Sequence, residues 1–408
     1  MKEQFFCGLD LGAHRLKAGV LKVNNPESAQ LIEIHEGATA GFKDGVVHDL
    51  GEFSECIYNA VSSVLKNAKV KLKGIQLGLN GEFVQARQAS AMIPLTDKGS
   101  KVITTYDLKR VNKHNRLLSL KMEEETLHEI LQSYQVNEEN PTINPVGLYG
   151  RKLGVSAVLI LTEVNRIRNL TRAVHEAGYD VSNILFSSYV ATKAVLSDRE
   201  IKEGCVFIDM GAAVTSILIF HGGVLKYLER IPVAGRHLTQ SIADKLNLPF
   251  ELAQQIKESY AVALKSHQHL DEEILIKREN AYIPIKRALI YEAIEPDINQ
   301  LIKKIQSAIE SSGYADKIKN RIILVGGTTL LTGLIERIGQ DTGYQAELGK
   351  IHIPIQKNMG DLTVFAGVAG LAWNGYERSI KDKIILKGKI SLKQQLSHKL
   401  KELYEDYF

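Results

Sequence analysis

The sequence predicts an α/β fold built on a repeated strand–turn–strand unit, and three segments carry that prediction. The first runs from Phe5 to Val23: an apolar strand ends at Asp10, Gly12 allows a tight turn, and a second strand follows. The second, Cys205 to Phe220, repeats this grammar, with Asp209-Met210-Gly211 at the turn and apolar residues on both sides. The third, Arg321 to Leu334, takes an apolar strand into Gly326-Gly327 and then into a helix start.

Each element has a local reason. Gly12 lets backbone amides come close to an anion. Two such hairpins facing each other would grip a polyphosphate, with a metal between their carboxylates. The Gly-Gly turn lets a flat base or a phosphate lie against the backbone. Taken singly, each segment is an ordinary turn; their order and spacing carry the argument.

Composition narrows the class. The 408 residues are about two to three domains' worth. With 44% apolar and 24% charged residues the chain is globular in composition. A net charge of +4 is too small to argue for nucleic acid. Three distant cysteines, Cys7, Cys56 and Cys205, form no metal-ligand spacing and fit a reducing compartment, with Cys7 and Cys205 buried in strands. His267 and His269 read as a solvated loop and Trp373 as core. Asp10 and His14 interrupt the apolar stretch at the N-terminus, so no signal peptide is expected, and no apolar run is long enough to span a bilayer. Any membrane contact would be peripheral.

Together the three segments resemble the phosphate-1, phosphate-2 and adenosine motifs of the actin/Hsp70 superfamily. The resemblance implies two lobes around a cleft that holds ATP and Mg²⁺, the metal held through water by Asp10 and Asp209. It carries the cofactor role onto Asp10, Gly12, Ala13, His14, Arg15 and Lys17 in the first hairpin. In the second it falls on Asp209, Gly211, Ala212, Ala213 and Thr215. Gly235, Lys257, Gly326, Gly327 and Thr328 complete the set.

The stretch between the hairpins indicates a branch. Residues 81–154 read as an inserted α+β unit. Within it, Thr105 is placed to cap a helix starting near Asp107. Leu127 to Val136 is amphipathic or strand-like, and Asn144-Pro145-Val146-Gly147 turns toward the strand Val155 to Leu161. This order resembles subdomain 1C of the FtsA family. Ile231-Pro232-Val233-Ala234-Gly235 resembles the opening of that family's subdomain 2B, and Gly360 to Leu371 its helix returning to the first domain. The resemblance assigns 1–80 and 155–200 to subdomain 1A and 81–154 to 1C. It assigns 201–237 and 318–360 to 2A, 238–317 to 2B, 361–378 to the returning helix, and 379–390 to a linker.

The loops depart from that family. Ala13-His14-Arg15 lacks the usual hydroxyls, although Arg15 and Lys17 can meet phosphate oxygens. Ala212, Ala213, Val214 and Ser216 stand for Gly, Gly, Thr and Asp, and Cβ atoms on Ala213 and Val214 would crowd a turn that needs positive φ. Ser187 and Ser188 occupy the place of a Gln/Glu-Pro pair that orients the attacking water. Gln254 stands where the family has Glu, three residues before Lys257. The expectation is nucleotide binding with weak or absent hydrolysis.

The last segment, 391–408, reads as an amphipathic helix with Ser391 as its cap. Leu392, Leu396, Leu400, Leu403 and Tyr407 recur at steps of three or four, with Tyr404 and Phe408 beside them and lysines flanking. The family resemblance makes it a membrane-targeting helix. Lys277, Arg278, Lys286 and Arg287 form a basic edge, read through the same resemblance as a dock for the acidic C-terminal peptide of FtsZ.

The function implied is that of a bacterial cell division protein. It would be a cytoplasmic tether, peripheral on the inner face of the membrane at the division site. It would link FtsZ polymers to lipid, assemble with copies of itself and recruit later division proteins. Two rivals remain open: a PilM-like scaffold for type IV pili, and an ATPase or kinase of the same fold.

Overall fold

The computed structural model describes residues 3–25, 28–43, 45–265, 271–278, 281–356 and 362–387. Along the chain, β1 (Gln4–Leu11) and β2 (Arg15–Val23) form an antiparallel hairpin that β3 (Gln30–Ala38) extends. The short pair β4 (Phe42–Lys43) and β5 (Val46–Val47) precedes α1 (Leu50–Ala68). Asp49 caps α1 by accepting from the Glu52 amide, and Phe53, Ile57, Val61 and Val64 recur at helical spacing on its buried face. β6 (Gly74–Leu79) then returns parallel to β1.

An inserted unit follows, made of β7 (Gln85–Pro94), β8 (Lys101–Val102), α2 (Thr105–Ser119), β9 (Glu124–Val136), β10 (Tyr149–Gly150) and β11 (Lys152–Glu163). β11 pairs antiparallel with β7 on one side and β9 on the other. The cap of α2 is Thr104, not Thr105: Thr104 Oγ1 accepts from the Asp107 amide, and the Asp107 carboxylate accepts from the Thr104 amide at 3.0 Å. That reciprocal pair sets the cap one residue earlier than the sequence reading and starts the helix at Thr105 rather than near Asp107.

The chain rejoins the first sheet through α3 (Val164–Glu176), β12 (Asp180–Phe186), α4 (Ser187–Val195) and α5 (Asp198–Glu203). β12 adds parallel to β6, giving the order β12-β6-β1-β2-β3. The second lobe repeats this plan. β13 (Cys205–Met210), β14 (Thr215–His221) and β15 (Val224–Ile231) form the antiparallel meander. Next come α6 (Gly235–Leu246), α7 (Phe250–Tyr260), the hairpin of β16 (Glu273–Arg278) and β17 (Ala281–Lys286), and α8 (Arg287–Ser311). β18 (Arg321–Val325), α9 (Leu334–Thr342) and β19 (Gln345–Leu348) complete the sheet in the order β15-β14-β13-β18-β19. α10 (Ala366–Lys387) crosses back to the first lobe. The two-lobed α/β architecture is therefore present.

Alternation along β13 explains how the lobes join. Val206, Ile208 and Met210 face the second-lobe core with Ile294, Ile298 and Leu301 of α8. Cys205 and Phe207 point the other way, into a core continuous with the first lobe. Burial pushes the Cys7 and Cys205 thiols up to about 12, as inert structural cysteines require.

Two sequence expectations change here. α10 continues without a break through Ser379 to Lys387, so residues 379–387 are helix rather than linker. Trp373 is half-buried rather than core, because its indole N–H donates to Glu377 Oε1 at 3.1 Å at the helix surface. His267, His269, Gly360, Asp361 and the whole of 391–408 lie outside the described residues.

Candidate functional site

The two hairpins and the Gly-Gly turn converge on a cavity of about 1020 Å³ between the lobes. Asp10 and Asp209 occupy the same place in their hairpins, one residue before the strand ends. Every cofactor residue expected from the sequence lines the cavity except Thr215. Thr215 is fully buried and donates to Val233 O at 2.8 Å, so its hydroxyl serves the fold.

The turns differ in tightness. A Cβ on Gly12 would overlap the Arg15 carbonyl oxygen, whereas one on Gly211 would sit 3.2 Å from Val214 O. Among the described residues no non-glycine residue of the second turn has positive φ. The expected crowding at Ala213 and Val214 is therefore absent; the turn closes through Gly211 N donating to Val214 O at 3.1 Å. Gly326 does need its glycine, with φ at +96° and room for a Cβ denied by Met210 O at 2.5 Å and Asp209 Oδ1 at 2.8 Å.

The floor is a hydrogen-bonded acidic pair. Ser187 Oγ donates to Asp10 Oδ1 at 2.5 Å, and Ser188 Oγ donates to Asp209 Oδ2 at 2.7 Å. Asn80 Nδ2, at the end of β6, donates to the same Asp209 oxygen at 3.1 Å and to Ser188 Oγ at 2.9 Å. Asn80 thus links the lobes. Burial raises the Asp10 carboxyl above its usual value against the pull of Lys17 and Ser187. Burial also pushes Asp209 up to about 6, the Ser188 hydrogen bond opposing it and the Asp10 charge adding to it. Ser187 and Ser188, read as a lost water-orienting pair, are thus in contact with both carboxylates.

Above the floor lie cations. Lys17 faces both aspartates. His14 is held below its usual value by burial first and then by Arg15. Arg236 Nη2 donates to Ala13 O at 3.2 Å across the cleft. Arg15, expected to meet phosphate, is ion-paired with Glu36 of β3. Lys257 Nζ donates to Thr239 Oγ1 at 2.7 Å, Gly235 O at 2.8 Å and Gln254 Oε1 at 2.9 Å, and burial pushes it down to about 8. It organises α6 and α7 around the cavity mouth.

The basic edge expected at Lys277, Arg278, Lys286 and Arg287 is not one edge. Glu273 pairs with Lys286 and Arg278 with Ala281, so Lys277 and Arg278 lie at the turn end of the hairpin and Lys286 at the other. Arg287 lines the cavity, with Nη1 3.2 Å from Glu272 Oε2. Glu36, Asn80 and Arg236 at the cavity were not expected from sequence. Gln254 was expected only as a replacement three residues before Lys257, and Arg287 as part of the basic edge rather than the cavity wall.

The residues fit a nucleotide: a cavity of that size, walled by glycine turns with Lys17 and Arg236 above the acidic floor, suits a base and phosphates. Among the described residues no three His, Cys, Asp or Glu side chains form a metal cluster.

Comparison with known proteins adds the family. The pattern described as Cell division protein FtsA matches residues 206–369, and that of the SHS2 domain inserted in FtsA matches residues 81–161. The chain is similar to Cell division protein FtsA of Streptococcus pneumoniae, 26% identical over 97% of this chain and 85% of that one. The Borreliella burgdorferi protein of the same name is 24% identical over 98% of each, and that of Pseudomonas aeruginosa 26% over 82% and 80%. Among solved structures, the PilM-PilN type IV pilus biogenesis complex aligns with 91% of this chain and 98% of that one, at 17% identity and TM-score 0.67. MreB5 of Spiroplasma citri bound to ADP aligns with 93% and 98%, at 13% identity and TM-score 0.52. At these identities the structural likenesses speak for the actin-like fold alone.

Proposed function

The chain belongs to the FtsA family of bacterial cell division proteins, and from that premise we propose that it tethers FtsZ polymers to the inner face of the cell membrane. It works at the division site from the cytoplasm, assembles with copies of itself and gathers later division proteins. One observation carries this reading: similarity to FtsA proteins runs through both lobes and the insert. The pilus protein shares the fold at lower identity, so the pilus-scaffold alternative has less support.

The lipid contact falls to residues 391–408. α10 brings the chain to the end of the first sheet remote from the cleft, where Ser379 Oγ donates to Gln4 Oε1 at 3.3 Å. No helix among the described residues is long and apolar enough to cross a membrane. Seven half-immersed apolar side chains would contribute about 7 kcal/mol before the cost of ordering the helix. A single tail is then a reversible anchor, and a row of tails on a polymer holds firmly. The FtsZ peptide docks on the β16–β17 hairpin beside Lys277 and Arg278.

In the cleft, the hairpins would hold the phosphates of ATP, with Lys17 and Arg236 supplying countercharge and His14, kept toward its neutral form, available as a hydrogen-bond partner. Asp10 and Asp209 would hold Mg²⁺ through water, and the metal would supply charge neutralisation for the phosphates. No Gln or Glu stands at Ser187 and Ser188 to orient a water, so hydrolysis is slow or absent.

The test is co-sedimentation with anionic vesicles, with and without FtsZ polymer, comparing the full chain with one ending at Lys387. The full chain should pellet with vesicles and carry FtsZ down; the shortened chain should do neither. Equal pelleting of both removes the tether.

A further inference from the structure

The insert carries an outward face that the tether reading does not use. Of the seventeen large apolar side chains exposed among the described residues, nine lie in residues 81–161, about a fifth of the chain. Three of them fall within six residues where α2 ends: Leu117 is 65% exposed, Leu118 66% and Met122 101%. Exposed apolar groups gathered in this way mark a contact surface.

α2 shows what that contact takes. Its inner side is seated: Val111 packs with Ile93, Ile103, Tyr134 and Val155. Its outer side carries two parallel lines at steps of four, Lys109–Lys113–Leu117 and Arg110–His114–Leu118. Each line starts basic and ends in an exposed leucine. Asp107, the helix's one carboxylate, is fully buried and taken up by Thr104, Lys101 and Arg110, which leaves the lysines as the first line's unpaired cations. Lys109 and Lys113 have no carboxylate within ion-pair distance among the described residues.

We propose that the outer face of α2 docks an acidic segment of a partner protein, one that carries leucine or phenylalanine among its carboxylates. The lysines meet the carboxylates, and Leu117, Leu118 and Met122 take the apolar side chains. This goes beyond the tether reading, which uses the tail and the second lobe. A lipid occupant is disfavoured by placement. α10 passes Gln4, at one end of β1, at Ser379. The insert leaves after β6 at the other end, beside Leu11, and α2 meets that root through Arg87 Nη1 donating to Ser119 O. Ser379 of α10 and the root of the insert therefore lie at opposite ends of β1.

The experiment is selection of displayed random peptides on the full chain, with counter-selection on a Lys109→Glu/Lys113→Glu variant. Recovered peptides should be rich in Asp and Glu with Leu or Phe. Their affinity should fall at least about tenfold in that variant and in Leu117→Ser/Leu118→Ser, and should weaken with added salt. All four positions are exposed, so both variants should melt as the parent does. Binding of the FtsZ C-terminal peptide should be unchanged in both, which separates this proposal from the tether. The proposal is overturned if the recovered peptides are not acidic or bind all variants alike. It is also overturned if a chain ending at Lys387 pellets with anionic vesicles and the variants abolish that pelleting.

Discussion

In the first lobe Asp10 lies across its hairpin from Lys17; in the second, Asp209 lies across from Ser216. The backbone plan is shared, yet the first hairpin carries His14, Arg15 and Lys17 while the second carries Ala212, Ala213 and Val214. The paired sheets show that strand order and the placement of the aspartate survive this divergence. The charge that would meet an anion has become one-sided: Lys17 serves both carboxylates, and Asp209 depends on Ser188 and Asn80 from the opposite lobe.

The largest expected effect breaks the second lobe's close approach. Gly326→Val puts a side chain at φ +96° against Met210 O and should cost about 3 kcal/mol in thermal unfolding and abolish nucleotide binding. Gly327→Ala meets open space and should change neither. Next, Gly12→Ala should cost about 2 kcal/mol, because the Arg15 carbonyl blocks its Cβ, against under about 1 kcal/mol for Gly211→Ala. Equal losses would show that the two turns are equally tight.

A pH series sharpens the carboxylate contrast. Asp209 has a folded value of about 6, above the 3.8 of the unfolded chain, so its contribution is complete at acidic pH and is lost as pH rises toward and through 6. With chelator present, Asp209→Asn should raise the melting midpoint at neutral pH by about 3 °C, and the gain should vanish toward pH 4. The smallest effect expected is at Lys17→Ala, which should weaken ATP binding about tenfold by titration calorimetry. Ser216→Ala, its counterpart in the second lobe, should leave ATP affinity as it was.

Much of the fold was legible because its signals are local. Apolar strands around Asp10-x-Gly12 and Asp209-x-Gly211 mark the hairpins, and the steps along Phe53, Ile57, Val61 and Val64 mark a helix. What was hidden depends on distant partners. Glu36 takes Arg15 only because β3 folds beside β2. Asn80 meets Asp209 across 129 positions. Ser187 and Ser188 read as a loss when compared with a motif, because sequence shows which group is missing but not what the replacement touches. The Thr104 cap was off by one residue because Thr104 and Thr105 are chemically alike, and the geometry of Asp107 alone separates them.

Asn80 stands immediately before the insert, whose sheet begins at Gln85. The insert also touches the second lobe directly: Gln132 Nε2 donates to Leu225 O at 2.8 Å and Lys226 Nζ donates to Gln132 Oε1 at 2.8 Å. The insert is thus stapled to both lobes, by its root beside Asn80 and by its sheet at β15, so it spans the seam above the acidic pair as well as decorating the first lobe.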